Sequence, residues 1–511
     1  MYSRVNSLGL LGIEGYPVSV ELNVTRGMPA FEVVGLPDAA VKESKDRVRA
    51  AFANMGYTLG EHRTVVNLAP AGTRKVGPVY DLPILLGLIL ATEKERFDPQ
   101  GFAFIGELSL QGAVQPVSGV LPMVLAAKAA GLRGVFVPRA NAGEGAVVQG
   151  IAVYPVEGAG EIIAHFCGGK RIEPAQPAPW QEPAFQPDFS EVRGQEYAKR
   201  ALEVAAAGGH NLLMLGAPGT GKSMLAKRLP SILPPLTFEE AVETTKIHSV
   251  SALLPEGGAL VAQRPFRSPH HTVSPAGLTG GGSVPRPGEV SLAHNGVLFL
   301  DELPEFSKQA MEVLRQPLED GNVTIARASA RLTYPSNVML VAAMNPCPCG
   351  YFGHPARPCT CGAPKVAMYL GKVSGPMLDR LDLHVEVLPV QYEELSSAKP
   401  AESSAQIRER VCRARALQQQ RYAGLGIPCN ARLTPGLLRE VCELTADAGA
   451  LLRAAFDRMG LSGRSYDRIL KVSRTIADLD GGGIITADHV AEAIQYRNLD
   501  RKYWQRKNDI L

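Results

Sequence analysis

Hydrophobic and polar positions divide this 511-residue chain into stretches of different period. Near the start, "PVSVELNVTRGMPAFEVVGL" (17–36) reads as half-buried strands. "AAVKESKDRVRAAFANMG" (39–56) changes to the spacing of an amphipathic helix and ends in a glycine stop. "LPMVLAAKAAGLRGVFVP" (121–138) predicts a helix, a glycine and a buried strand. Three short apolar runs follow in "NLLML" (211–215), "GVLFL" (296–300) and "NVMLVAAM" (337–344), each a strand with polar residues at its end. From about residue 404 the pattern is helical, in "SAQIRERVCRARALQQQRYA" and then in "TPGLLREVCELTADAGALLRAAFDRMG". There Thr434 is placed to cap and Pro435 to start the first turn. In "LSGRSYDRILKVSRTIADL", Ile469, Val472, Ile476 and Leu479 form an apolar stripe, while Arg464, Arg468 and Lys471 share another face.

One stretch has neither period. "EPAQPAPWQEPAFQP" (173–187) contains five prolines and reads as a stiff extended linker. It divides the chain into a first α/β domain (1–172), the linker (173–189), a second α/β domain (190–395) and a helical domain (396–511). The length suits roughly three domains. A composition of 45% hydrophobic and 20% charged residues gives each a core. The net charge of +3 gives no bulk argument for a nucleic-acid partner, so that case rests on local basic stretches. The first residues lack a signal peptide's pattern, and "LPILLGLILA" is too short to span a bilayer. The expectation is a cytoplasmic protein without a membrane partner.

The chemistry is densest in "NLLMLGAPGTGKSMLAKRL". An apolar strand runs into Gly216-Ala217-Pro218-Gly219-Thr220-Gly221-Lys222-Ser223, and a helix follows. This is the phosphate-binding pattern in its strand–loop–helix setting. The glycines let backbone N–H groups curl around phosphate oxygens, and the helix N-terminus adds positive partial charge. Lys222 is expected to reach the β- and γ-phosphates of ATP, and Ser223 to hold Mg²⁺. Downstream, "GVLFLDEL" ends a second strand in Asp301, suited to the metal, and Glu302, suited to polarising water. The third strand ends in Asn345, where an amide could orient that water. Arg380 lies between two aspartates in "SGPMLDRLDL". A surface cation paired with a neighbouring carboxylate would be the plainer reading of each arginine taken singly.

The order of these motifs carries a resemblance. "VRGQ" (192–195), the phosphate loop, "LFLDE", "MN", "LDRLD" and "SGRSYDR" occur as in AAA+ ATPases, and look most like the magnesium-chelatase-like branch. "RPFRSPHHTVSPAGLTGGG" and "NPCPCGYFG" are particularly similar to its ComM subfamily. The resemblance spans essentially the whole chain. It implies an α/β multidomain fold with an AAA+ P-loop NTPase core and a C-terminal helical lid. It also implies that Asn345 is sensor 1, Arg380 an arginine finger serving a neighbouring subunit and Arg464 sensor 2. An arginine finger in turn implies a homo-oligomeric ring, usually a hexamer. The subfamily's activity would be a DNA helicase or translocase promoting branch migration; a protein-remodelling motor of the chelatase type is the alternative.

Four of the eight cysteines fall in "NPCPCGYFGHPARPCTCG" (345–362), as Cys347, Cys349, Cys359 and Cys361. A cytosolic chain disfavours disulfides. Four thiolates could complete a structural zinc site, although Cys-x-Cys is tighter than the usual Cys-x₂-Cys knuckle, and reduced free thiols are the other reading. His354 reads as a loop residue.

"RKVGPVYDLPILLGLILA" and "IGELSLQGAVQPVSGVLPMVLAAKAAGLRGVFVP" resemble the Lon protease domain, of the ribosomal S5 domain 2-like fold. Where that family carries a nucleophilic serine and its lysine base, this chain has Val79 and Leu121, and Ser118 and Lys128 fall out of register. A serine–lysine dyad needs both groups, so the expectation is the fold without peptidase activity.

For DNA, the candidates are Arg327 and Arg331 near the tip of a hairpin in "GNVTIARASARLTYPS", and Arg286 on the glycine-rich "GGGSVPRPGE" loop. The tail "YRNLDRKYWQRKND" mixes basic and aromatic residues but reads as solvated surface.

Overall fold

The computed structural model describes residues 1–504 apart from 94–96, 179–186, 256–257, 283–284, 328–329, 355 and 397–400. The chain forms two compact units. The first comprises Met1–Gln181, Thr237–Ala262 and Ala326–Tyr334; the second comprises Glu182–Leu236, Gln263–Ile325 and Pro335–Leu511. Two segments inside the 190–395 stretch therefore cluster with the first unit. Of the proline-rich linker, residues 173–178 carry no helix or strand, and the Ala175 N–H donates to Val153 O at 2.8 Å. Its residues 179–186 lie outside the described ones.

In the first unit a seven-stranded mixed sheet runs in the order Ala30–Val34, His62–Ala69, Glu14–Arg26, Tyr2–Leu11, Phe102–Phe104, Gly134–Pro138, Ala152–Val156. Period-2 patterning sets its register: Val18, Val20, Leu22 and Val24 all point into the core. The first two strands turn through Gly12, whose φ of 66° suits glycine. The helix Ala39–Asn54 starts where Asp38 accepts from the Val41 N–H at 2.8 Å, and it buries Val41, Val48, Ala51 and Phe52. The helix Val120–Ala129 and the strand Gly134–Pro138 flank Gly131, as the patterning predicts. Helix Phe238–Val250 opens on a capping box between Thr237 and Glu240. Its C-terminal turns are tied down twice: Ser249 Oγ donates to the buried Glu144 carboxylate, and Lys246 pairs with Glu14 at 2.8 Å. Glu144 also accepts from the Leu121 N–H at 2.6 Å. Burial holds its carboxyl above the ordinary range, an effect that these hydrogen bonds only partly offset.

Val79 and Leu121 are both core residues, 7% and 0% exposed, while Ser118 and Lys128 face solvent. The two positions singled out against a serine–lysine dyad are thus filled by packed hydrocarbon.

The second unit is built on a five-stranded parallel sheet in the order Phe266–Arg267, Val297–Leu300, Met339–Met344, Leu212–Leu215, Leu383–Glu386. The apolar runs are buried from end to end in the three inner strands, because both faces of a parallel sheet are covered. All five carboxyl ends share one side. The strand Leu212–Leu215 sits between Met339–Met344 and Leu383–Glu386, where the connections lead off in opposite directions; that is where α/β sheets open a crevice.

From residue 401 on, the described residues form five α-helices: Ser404–Arg421, Pro435–Val441, Ala446–Met459, Gly463–Leu479 and Ala487–Gln495. The single helical stretch read from Thr434 to Gly460 is two helices. Between them Leu444 bridges to Ile485, and Thr445 caps the second by accepting from the Ala448 N–H. Thr434 stands at the cap position of the first, but its side chain makes no capping bond. Ile469, Val472 and Ile476 are buried, as their spacing predicts. At the centre of this bundle Asp478, 2% exposed, accepts from Arg421 at 2.6 and 3.0 Å, from Asn430 Nδ2 at 2.9 Å and from Arg474 Nε at 3.1 Å.

The tail corrects the sequence reading. Tyr496, Arg497 and Tyr503 are buried; Tyr503 Oη donates to Glu386 at 2.9 Å, and Trp504 Nε1 to Leu370 O at 3.4 Å. These side chains pack their apolar parts and satisfy their polar ends within the protein: Tyr496 Oη donates to Glu492 at 2.9 Å and Arg497 to Leu381 O at 2.8 Å. Residues 505–511 lie outside the described ones.

Candidate nucleotide site

The carboxyl ends of the three inner strands Val297–Leu300, Met339–Met344 and Leu212–Leu215 bring five of the predicted side chains together. The loop Gly216–Gly221 leaves strand Leu212–Leu215 and enters the helix Lys222–Arg228. Gly219 and Gly221 take φ of 79° and 93°, the left-handed region that a side chain resists. Gly216 has a different reason: a Cβ there would lie 2.4 Å from Val387 O. Ala217 and Thr220 are buried, Pro218 and Gly219 exposed, and Thr220 Oγ1 donates to Ala217 O at 3.0 Å.

Lys222 is 8% exposed, and its ammonium donates to Gly216 O at 2.8 Å, Ala217 O at 2.9 Å and Asn345 Oδ1 at 3.2 Å. Burial holds its pKa below the ordinary lysine value, against the opposing pull of Asp301 and Glu302. Ser223 Oγ donates to Asp301 Oδ2 at 2.6 Å. The other Asp301 oxygen accepts from the Glu302 N–H at 2.9 Å. Glu302 itself is exposed, at a φ of 52°, in the left-handed region that few residues with a side chain adopt. The hydroxyl and carboxylate pair offers hard oxygens of the kind Mg²⁺ takes.

Sequence reasoning missed two neighbours. His271 Nδ1 lies 3.5 Å from Glu302 Oε2, with its ring 4.0 Å from His270. The only signal was a histidine pair in a segment quoted for its resemblance. Gln195 of "VRGQ" donates from Nε2 to Thr220 O at 3.3 Å and Leu388 O at 2.5 Å, fastening the start of this unit to the phosphate loop.

The two arginines stand differently. Arg380 is held within its own chain by Glu319, by Arg315 O at 3.2 Å and by Pro376 O at 2.6 Å. Arg464 is exposed in the first turn of helix Gly463–Leu479. One turn on, Arg468 pairs with Asp382 at 3.4 Å and Asp379 at 3.7 Å, the aspartates that flank Arg380. Burial lowers the Arg468 pKa, and these aspartates raise it.

Cys347, Cys349, Cys359 and Cys361 place their sulfurs within 4.8 Å of one another. His354 lies outside this group and accepts at Nδ1 from the Ala356 and Arg357 amides.

Of the DNA candidates, Arg331 is exposed on a two-stranded ribbon of Asn322–Arg327 and Ala330–Pro335. Arg327 ends the first of these strands, and its side chain lies outside the described residues. Arg286 is exposed in a short ribbon, paired with Gly281.

Three family profiles cover most of the chain: magnesium chelatase subunit ChlI at residues 188–395, subunit ChlI of Mg-chelatase at 20–141 and the subunit ChlI C-terminal region at 401–497. Competence protein ComM of Haemophilus influenzae is 41% identical over 512 residues, spanning 98% of this chain and 97% of that protein. The chain belongs to the magnesium-chelatase-like AAA+ family, in its ComM group. Within this family, the uncharacterized protein YifB of Escherichia coli is 42% identical over 98% of this chain and 97% of its own length. A partial likeness reaches the Lon protease of Mycolicibacterium smegmatis, 29% identical over 183 residues, 34% of this chain and 23% of that protein. The magnesium-chelatase-like AAA+ family points to an ATPase, and no described helix is long and apolar enough to cross a membrane.

Proposed function

We propose that the chain is an ATP-hydrolysing ring motor, a hexameric DNA helicase or translocase that promotes branch migration in recombination or natural transformation. The observation that carries the ATPase half is the meeting of Lys222, Ser223, Asp301 and Asn345 at the ends of three parallel strands. In this reading Lys222 leaves its loop carbonyls for the β- and γ-phosphates. Gly216, Ala217, Pro218, Gly219, Thr220 and Gly221 offer backbone to the phosphates. Ser223 and Asp301 hold Mg²⁺, which supplies charge neutralisation on the phosphates. Glu302 draws a proton from the attacking water and Asn345 orients it. Arg380, released from Glu319, serves the neighbouring subunit's ATP, and Arg464 answers to the γ-phosphate. The first domain is a Lon-like fold without peptidase chemistry, because Val79 and Leu121 stand where a nucleophile and base are needed.

The DNA half draws on likeness to a competence protein over nearly the whole chain and on exposed Arg286 and Arg331. The second reading, a protein-remodelling ATPase without DNA translocation, draws on the family description as a chelatase subunit. The deciding experiment is ATP-dependent conversion of a labelled four-way junction into duplex arms, run beside ATPase assays with single-stranded, duplex and junction DNA. A DNA motor should show both stimulation and conversion. An ATPase-active ring that does neither supports the remodelling reading.

A further inference from the structure

We propose that Cys347, Cys349, Cys359 and Cys361 bind one zinc ion, and that this ion braces the phosphate loop through Gly350. Three sulfur–sulfur separations are 3.3, 3.6 and 3.5 Å, between Cys347 and Cys349, Cys347 and Cys359, and Cys349 and Cys359. All four thiols are free, and none of these separations approaches the ~2.0 Å of a disulfide bond. A tetrahedron with zinc–sulfur bonds of about 2.3 Å has edges of about 3.8 Å, so the quartet is nearly the size of a mononuclear site. A multi-iron cluster holds its thiolates farther apart, on separate irons bridged by sulfide. Tetrahedral four-sulfur coordination by a single ion favours zinc.

Two backbone amides already point at sulfur. The Phe352 N–H meets Cys347 Sγ at 3.3 Å, and the Cys361 N–H meets Cys359 Sγ at 3.3 Å. Such donors disperse the negative charge that four thiolates leave around a divalent ion. They also answer the spacing question: the turn at Cys359 folds tightly enough for Cys-x-Cys to present both sulfurs inward. With four protein ligands the site has no open position, which marks it as structural.

The position of the quartet gives it a consequence. Cys347 is fully buried two residues after Asn345, at the end of the same strand. Gly350, at a φ of 84°, lies flat on the phosphate loop: a Cβ there would come 2.3 Å from Pro218 Cδ. On the other side, Phe352 packs edge-on against Tyr503, ring centroids 6.1 Å apart. One ion would therefore fix the loop that positions both Asn345 and Pro218. This bracing role rests on the ATP-site reading; the metal site does not.

The test starts with elemental analysis of the full-length protein purified without chelator. About one zinc per chain and negligible iron are expected. Zinc should fall to background in the Cys347→Ser, Cys359→Ser double variant, and in Cys361→Ser if the double variant does not fold. Cobalt reconstitution of the stripped wild type should give the intense visible bands of tetrahedral thiolate coordination. Stripping should weaken binding of a non-hydrolysable ATP analogue by about tenfold, since misplacing positioning groups by about 1 Å can cost up to about 10²-fold. Zinc chloride should restore it. No stoichiometric zinc, either as purified or after titrating reduced protein, overturns the site, as does iron with labile sulfide or zinc retained by the serine variants. Zinc present, with analogue binding indifferent to its removal, overturns the bracing. Loss of analogue binding in the zinc-loaded protein would count instead against the ATP-site reading.

Discussion

Asn345 Oδ1 accepts a hydrogen bond from the Lys222 ammonium at 3.2 Å, joining the end of one strand to the loop that leaves its neighbour. The lysine is fully satisfied by this amide and two loop carbonyls, so phosphates must displace a built arrangement rather than enter an empty one. Lys222→Ala should abolish binding of a fluorescent ATP analogue. Asn345→Ala should keep binding within a few-fold and lower turnover by about 10²-fold, as expected for a group that acts only as charge develops. Equal losses in both measurements for Asn345→Ala would make it a binding residue instead.

Glu302→Gln should bind ATP with Ser223 and Asp301 in place and lose about 10²–10⁴-fold in hydrolysis, the usual worth of a general base. Single-turnover hydrolysis measures this directly. Turnover near the wild-type rate would reassign the base.

Arg380→Ala should bind ATP normally and lose about 10³–10⁵-fold in hydrolysis by the assembled ring. Because Arg380 is held by Glu319 in its own chain, the role assigned to it requires release toward a neighbour. Mixed rings of Arg380→Ala and Lys222→Ala subunits should regain part of the turnover. No recovery with co-assembly verified would rule out action between subunits.

A translocating ring must tolerate every sequence, so DNA contacts should be mainly to phosphate. Log affinity should then fall against log salt with a slope of about −0.7 to −0.9 per phosphate neutralised. Replacing Arg327 and Arg331 by Ala should flatten that slope and leave ATPase without DNA intact. An unchanged slope would move the contact elsewhere.

Asp478→Ala would leave the buried guanidinium of Arg474 and the half-buried one of Arg421 beside a lost anion. Removing one partner from such a network typically costs about 3–5 kcal/mol. Chemical denaturation followed by circular dichroism should show an early transition. A shift below about 1 kcal/mol would mean that water enters and replaces the carboxylate.

The apolar runs and the phosphate loop were legible because each is a local pattern whose physics is local. An inner strand of a parallel sheet is buried on both faces, and a glycine-rich turn before a helix cradles phosphate by its own backbone. The contacts that escaped sequence reasoning join residues far apart in the chain. Arg468 meets Asp379 and Asp382, His271 meets Glu302, and Ser249 meets Glu144. None of these pairs leaves a period or a spacing. The tail failed for another reason: its alternation of cations and aromatics is the same whether the rings face water or, as Tyr503 does, a core.

The strand Leu212–Leu215 takes one of its two neighbours from Leu383–Glu386, about 170 residues farther along the chain. At about 5–20 residues per second, a ribosome needs roughly 10–30 s to deliver that partner. Through this interval the strand that leads into the phosphate loop keeps a bare apolar edge, an open template for pairing with another nascent chain. The strand that carries the candidate nucleotide site should therefore also make the newborn protein depend on chaperones, and overexpression that outruns them should yield aggregates seeded at this strand.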